Sequence, residues 1–132
     1  MKTKSQETYN DAVKILSSEN FSCTTSVHCF YYSVLQKMKY ILAHTKNNPI
    51  SYDKQQETGG VSTHKYIFEE IKKRINASNK DKLAFVEEFN KLRQERKEAD
   101  YTARIFTREE VAESREKANS LRSKLNTYFG NL

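Results

Sequence analysis

The scarcity of chain-breaking residues limits this sequence to long regular segments. Only three glycines and one proline occur in 132 residues, and Pro49, Gly59 and Gly60 fall within one stretch, NNPISYDKQQETGG. A protein built of strands needs many tight turns, which draw on glycine and proline. Eight Tyr and seven Phe argue against a disordered chain. We therefore expect one all-α domain that occupies residues 1–132.

Apolar residues recur at helical spacing in five segments, which predicts an up-and-down bundle of four to five helices. The first helix has its apolar stripe from Tyr9 to Leu16, and the second has the widest stripe, from Val27 to Leu42. One long loop, the segment we expect to be mobile, runs from about Thr45 to Ser62. The third helix opens with His64.

The fourth and fifth helices carry sequence signals at their starts. Ser78 or Asn79 can cap the fourth helix, which we expect from about Lys80 to Ala103. Thr107, followed by Glu110 three positions later, predicts a capping box for the fifth helix.

Charge and cysteine content limit the partners and the cellular compartment that we expect for the protein. The formal net charge of +6 suits a nucleic acid or an acidic partner, although basic and acidic residues alternate as on solvated helix faces. No apolar run predicts a membrane span or a secretory signal.

Two cysteines do not predict a disulfide framework, so we expect a cytoplasmic protein. The spacings of Cys23, His28, Cys29 and His44 match no zinc pattern, and we expect no metal and no cofactor.

Arg96 interrupts the apolar face of the fourth helix. It follows Leu92 by four positions and precedes Ala99 by three, on a stripe that begins at Phe85. A charge on such a face is costly unless it is paired and hydrogen-bonded. We weigh two roles for Arg96: an ion pair with Asp100 or with an acid on another helix, and an anion-binding group in a cleft. An Arg that precedes an Asp by four positions is the less favourable order on a helix.

Several motifs occur in the order found in one protein family. The residues are Tyr31-Tyr32, His64, Leu92-Arg93, Arg96, Ala99-Asp100-Tyr101 and Thr107 to Ala112. Together they cover nearly the whole chain and resemble the HEPN domain (higher eukaryotes and prokaryotes nucleotide-binding). The small stand-alone prokaryotic members of that family are the most similar.

The resemblance implies a HEPN-like bundle that forms a homodimer, with a cleft between the subunits. Many members pair with a nucleotidyltransferase and act as the toxin of a toxin–antitoxin system. The active members are metal-independent ribonucleases with an Arg-x(4-6)-His motif, in which Arg binds the scissile phosphate and His acts at the 2′-hydroxyl. Arg96 matches the arginine, but no histidine follows at an allowed spacing, and Tyr101 stands where a four-residue gap would place it.

We therefore predict a HEPN-type RNA- or nucleotide-binding component of a toxin–antitoxin or defence-like system, paired with a nucleotidyltransferase. One alternative is an active metal-independent endoribonuclease that uses Tyr101, Asp100 or His64; another is a non-catalytic protein-interaction module. The candidate catalytic residues are Arg96, Asp100 and Tyr101. The candidate binding residues are Arg93, Lys97, Tyr31, Tyr32 and His64.

Each of these candidates also has a plainer structural role. His64 suits a packing or capping position at a helix start. The tyrosine pair is expected to point to different sides of its helix, with one ring in the core and the other toward the dimer face or the cleft. The basic residues around Arg96 form either a basic rim or a solvated face paired with Glu95 and Glu98. These basic residues are Arg93, Lys97, Arg104 and Arg108.

Overall fold

The structure of the protein, a computed structural model, describes residues 1–17, 23–60 and 62–130. These ranges contain helices and no strand. The all-α expectation is therefore confirmed, but the described ranges hold six helices rather than four to five. None of these six helices combines the length and apolar character that crossing a membrane requires. The helices are α1 (Lys2–Ser17), α2 (Cys23–His44), α3 (Tyr52–Gln56), α4 (Thr63–Arg74), α5 (Asn79–Tyr101) and α6 (Arg108–Phe129).

Helix α2 is the centre of the bundle and packs against α1, α4, α5 and α6. Its apolar residues are almost completely shielded, because a helix with so wide a stripe must be covered on several sides. Each fully buried Phe or Leu side chain stabilises the fold by about 1.5–3 kcal/mol. The predicted stripe from Val27 to Leu42 is confirmed as core.

Helix α1 packs along α2 through one aromatic and one polar contact. The ring of Tyr9 meets that of Phe30 edge-on at 5.6 Å. The hydroxyl of Ser5 is buried and donates a hydrogen bond of 2.6 Å to the backbone carbonyl oxygen of Ser33. The side chain of Leu16, expected at the end of this stripe, lies outside the described residues.

Stacked aromatic rings fix α4 and α5 against α2. The rings of Phe68 and Phe89 lie 4.2 Å apart with 13° between their planes. Phe89 also lies 5.8 Å from the ring of Tyr31 on α2. This stack holds the tyrosine beside the inner face of α5.

The starts of α5 and α6 follow the predicted caps. The hydroxyl of Ser78 accepts a hydrogen bond from the backbone N–H of Asp81, and Thr107 forms the expected capping box with Glu110. The end of α5 differs from the prediction, because the helix stops at Tyr101. Thr102 is extended, and its hydroxyl donates to the carbonyl oxygen of Glu98.

Ala103, which we expected to be the last residue of this helix, consequently lies beyond the helix end and is exposed.

The segment that we expected to be one long loop contains the short helix α3. Ser51 caps it by accepting a hydrogen bond from the backbone N–H of Lys54. The buried side chain of Gln55 donates hydrogen bonds of 2.9 Å to the carbonyl oxygens of Lys39 and Ile50. These tertiary bonds explain why five residues with little apolar character form a helix against α2.

Candidate functional site

The side chain of Arg96 is buried beneath three tyrosine rings. Only 5% of the residue is exposed. Its guanidinium carbon lies 4.9 Å from the ring centroid of Tyr31 and 5.8 Å from those of Tyr32 and Tyr101. Such a contact attracts a cation by roughly 0.5–2 kcal/mol. Arg96 therefore lies on the buried face of α5, as its place in the apolar stripe predicted. The aromatic rings offset part of the cost of burying its charge.

Polar groups satisfy this guanidinium only in part. Its Nη1 atom donates to Asp100 across 3.5 Å, which is at the outer limit of a hydrogen bond. Its Nε atom is buried without a hydrogen-bond partner, and the Nε atom of Arg93, three positions earlier on α5, is in the same situation. A buried donor without an acceptor costs about 1–3 kcal/mol. Two neighbouring guanidinium groups thus retain buried donors that an incoming acceptor could satisfy.

Arg96 keeps its charge in this environment. Burial alone lowers the pKa of Arg96. The opposing effect of Tyr31, Tyr32, Tyr101 and Asp100 is larger, so the net shift of the pKa is upward. A buried cation that cannot lose its proton must be balanced by nearby electron density or by an anion.

His28, which sequence analysis did not assign to this site, completes the group from the opposite helix. Its Nδ1 atom lies 2.9 Å from both carboxylate oxygens of Asp100. A carboxylate can only accept, so in a neutral imidazole Nδ1 carries the proton and Nε2 keeps a lone pair. The His28 ring also lies 4.5 Å from that of Tyr32, one helical turn further along α2. That spacing of four positions was the sequence signal that would have grouped His28 with the tyrosine pair.

Tyr31 and His64 form a second, inner pair. The hydroxyl of Tyr31 lies 3.1 Å from Nδ1 of His64. Burial raises the pKa of Tyr31, and burial together with the charges of Arg96 and nearby basic residues lowers the pKa of His64 to about 4. At neutral pH the phenol therefore donates to an uncharged imidazole. His64 packs at the start of α4 and orients Tyr31 within the cluster.

Both rings of the tyrosine pair lie close to Arg96, although one belongs to the core and the other to its edge. Tyr31 is fully buried and Tyr32 is half-buried, as expected for one core ring and one outer ring. Their rings nevertheless meet edge-on at 5.3 Å, and both lie within 6 Å of the guanidinium carbon of Arg96. The reason is the inward position of Arg96, which brings its guanidinium up to both rings.

The outer edge of this cluster faces a shallow surface depression of about 260 Å³. Asp100 and His28 line it, together with Thr24 and Thr25 from the start of α2. Arg96 lies behind Asp100 and beneath the ring of Tyr101, a residue that is 76% exposed. The guanidinium is therefore separated from solvent by one carboxylate and by one aromatic side chain that sits mostly in water.

The basic residues expected around Arg96 differ in their surroundings. Arg104 donates to the carboxylates of Glu98 and Glu110, as in the paired-face interpretation. Lys97 is exposed on α5 and takes no part in the described contacts of Arg96. Arg93 contributes positive charge to the cluster, where it lowers the pKa values of Tyr31 and His64.

The structure thus brings Arg96, Asp100, Tyr101, both tyrosines of α2, His64 and Arg93 into one cluster. Among the described residues, no group of three or more His, Cys, Asp or Glu side chains could hold a metal ion. No protein-family model, curated protein or solved structure matches this chain.

Proposed function

We propose that this protein is a HEPN-type RNA- or nucleotide-binding component of a toxin–antitoxin or defence-like system, and that Arg96 holds a phosphate group. The observation that carries the proposal is the buried, permanently charged guanidinium whose Nε–H lacks an acceptor, next to the similarly unsatisfied Nε–H of Arg93. Phosphate oxygens are strong acceptors and suit the fork of donors on arginine.

Movement of the Tyr101 side chain would open one route to Arg96. The ring of Tyr101 covers the guanidinium from the end of α5 and is largely surrounded by water. Exposed side chains change rotamer within nanoseconds. A phosphate that enters beside His28 would replace the tyrosine ring as the partner of Arg96.

We further propose a homodimer in which this end of α5 lies at the subunit interface, with a nucleotidyltransferase as a second partner. Tyr101 and Ile105 are large, 76% and 83% exposed, and only four positions apart. Burial of Ile105 against a second copy would leave Tyr101 at the rim of the contact and place Arg96 beside a groove between subunits. Light scattering on purified protein measures the mass in solution, and we expect a dimer for the wild type and a monomer for Ile105→Lys. A wild-type monomer at 100 µM, roughly the upper range of dissociation constants for a specific dimer, contradicts the proposed homodimer.

RNA binding measured by fluorescence anisotropy tests the main proposal. The wild type is expected to bind single-stranded RNA, and Arg96→Gln is expected to weaken binding about tenfold or more because a charged hydrogen bond is lost. Arg74→Gln is the matched control, since Arg74 is also partly buried but bonds to the carbonyl oxygens of Asn47 and Asn48 at a distant corner. Equal affinity of wild type and Arg96→Gln contradicts the proposal and leaves the protein-interaction module.

A second candidate function is metal-independent ribonuclease activity, and the hydrogen bond between His28 and Asp100 favours it. Asp100 orients the imidazole, so that Nε2 can accept the proton of a 2′-hydroxyl. The 2′ oxygen then bonds to phosphorus, the bond to the 5′ oxygen breaks, and that oxygen takes a proton from water. Arg96 would neutralise the charge that develops on phosphorus-bound oxygens.

Cleavage of labelled RNA in the presence of EDTA distinguishes the two functions. Products that end in a 2′,3′-cyclic phosphate, absent in Arg96→Gln and His28→Asn, would support the ribonuclease. Binding without cleavage would support the first proposal alone. His44→Asn is the matched control for the histidine substitution, because His44 bonds to the carbonyl oxygen of Tyr40 at the far end of α2.

A further inference from the structure

A separate cavity on another side of the bundle concentrates positive charge. It has a volume of about 340 Å³ and lies between α1, α2 and α6. Lys2, Lys37 and Arg122 line it, and none of the described residues around it is acidic. The volume falls at the lower end of the range found for small-molecule sites.

Arg122 is held rigidly at this cavity by neutral acceptors. Its Nη1 atom donates to the hydroxyl of Ser5 and, across 3.0 Å, to the carbonyl oxygen of Ser33, and its Nη2 atom donates to Gln6 across 3.1 Å. Such bonds fix the guanidinium and remove the entropy cost of ordering it on binding. They do not neutralise its charge, and burial lowers its pKa.

Lys37 reaches the same cavity from α2 and is half-buried. Burial lowers its pKa, and the positive charges of Arg122 and Lys2 lower it further. Among the described residues, no carboxylate forms an ion pair with Lys37 or Arg122. Two cations that repel each other without a counter-charge create a potential that favours an anion.

Two further features of the cavity define the ligand. The first turn of α1 borders it through Lys2, Thr3 and Ser5, so the N-terminal end of that helix, which carries a positive partial charge, adjoins the cavity. Tyr40 and Ile41 supply an aromatic and an aliphatic surface beside the cations. Positive charge therefore adjoins a surface suited to a planar organic group.

We propose that this cavity binds a small phosphomonoester with a planar organic part, of the nucleoside monophosphate class. Lys37 and Arg122 bind the phosphate, and Tyr40 contacts the organic part. The cavity is independent of the cluster around Arg96, because no residue lines or belongs to both.

Titration of the full chain with AMP, followed by amide chemical shifts in NMR spectra, tests this site. We expect shifts at Ser5, Gln6 and Lys37, a weaker response to inorganic phosphate, and no binding of adenosine. Lys37→Gln is expected to reduce the affinity for AMP about tenfold. Lys39→Gln is the matched control, because Lys39 is also half-buried on α2 but does not line the cavity.

Three results would overturn the proposal: no shifts around this cavity at millimolar AMP, equal binding of adenosine, or unchanged affinity in Lys37→Gln. Lys37 lies away from the buried core, so this substitution is expected to preserve the fold, which the far-ultraviolet circular dichroism spectrum verifies. Arg96→Gln is expected to leave these shifts unchanged, so failure of the RNA-binding proposal and failure of this one are separable.

Discussion

The Nδ1 atom of His28 lies 2.9 Å from each carboxylate oxygen of Asp100, although 72 positions separate the two residues. The same carboxylate lies 3.5 Å from Nη1 of Arg96. One aspartate on α5 thus joins a partly exposed imidazole to a buried guanidinium, and the ring of Tyr32 contacts both of these groups. This relationship is the basis on which we propose an anion-binding site.

Removal of this hydrogen bond is expected to affect function far more than stability. The His28 side chain is 43% exposed, and exposed ion pairs contribute about 0.2–1 kcal/mol. His28→Asn should therefore lower the free energy of unfolding by less than about 1 kcal/mol, whereas Asp100→Asn also removes the carboxylate partner of the buried Arg96 and should lower it more. If the protein cleaves RNA, both should reduce the rate about 10²–10⁴-fold, measured by single-turnover cleavage. A loss of stability that accounts for the lost activity would assign the pair a structural role.

Replacement of Arg96 by an apolar residue of similar length should separate binding from folding. Arg96→Met removes a desolvated charge, a buried Nε donor without an acceptor and a long hydrogen bond to Asp100. The free energy of unfolding should therefore stay constant or rise by about 1–2 kcal/mol. RNA binding should be lost. Urea denaturation followed by circular dichroism measures the first quantity. A decrease of more than about 3 kcal/mol, the loss typical of a broken buried pair, would show that Arg96 is chiefly structural.

The lowered pKa of His64 predicts a specific loss of stability in acid. An unfolded histidine titrates near pH 6.5, whereas the folded pKa is about 4. Between these values the unfolded chain binds a proton that the folded chain does not, so stability present above pH 6.5 is lost as the pH falls toward 4. The midpoint of urea denaturation should therefore decrease between pH 7 and pH 5. His64→Gln should flatten this decrease, and His44→Gln should not; a decrease of wild-type size in His64→Gln would assign it to other groups.

Removal of the aromatic cover should open the site. Tyr101→Ala deletes an exposed cation–π contact worth about 0.5–1 kcal/mol, so a phosphate no longer has to displace it. RNA affinity should rise about two- to fivefold, measured by anisotropy at constant salt. Tyr101→Phe keeps the ring and should bind as the wild type does. Weaker binding by both variants would instead assign the Tyr101 hydroxyl a direct contact with the ligand.

Features encoded locally could be predicted from the sequence. The apolar stripe of α2 and the capping box at Thr107 depend on spacing within a few helical turns, and both are confirmed. The buried position of Arg96 followed from the same periodicity. Helix α3 could not be predicted, because Gln55 is held by carbonyl oxygens from other parts of the chain.

The composition of the site depended on contacts between distant segments. The Arg-x(4-6)-His motif places a histidine shortly after its arginine, whereas His28 reaches Asp100 from α2. The end of α5 at Tyr101 likewise depends on the hydrogen bond that the Thr102 hydroxyl donates to the carbonyl oxygen of Glu98, which apolar periodicity cannot reveal. That early end leaves Tyr101 free to lie over Arg96.

The salt dependence of RNA binding tests most directly whether Arg96 neutralises a phosphate. The logarithm of the association constant, plotted against the logarithm of salt concentration, has a slope of about −0.7 for each phosphate contacted on a single strand. We expect Arg96→Gln to bind more weakly than the wild type with a slope smaller in magnitude by about 0.7, while Arg74→Gln retains the wild-type slope. A slope and an affinity that are the same in Arg96→Gln and in the wild type would contradict the account.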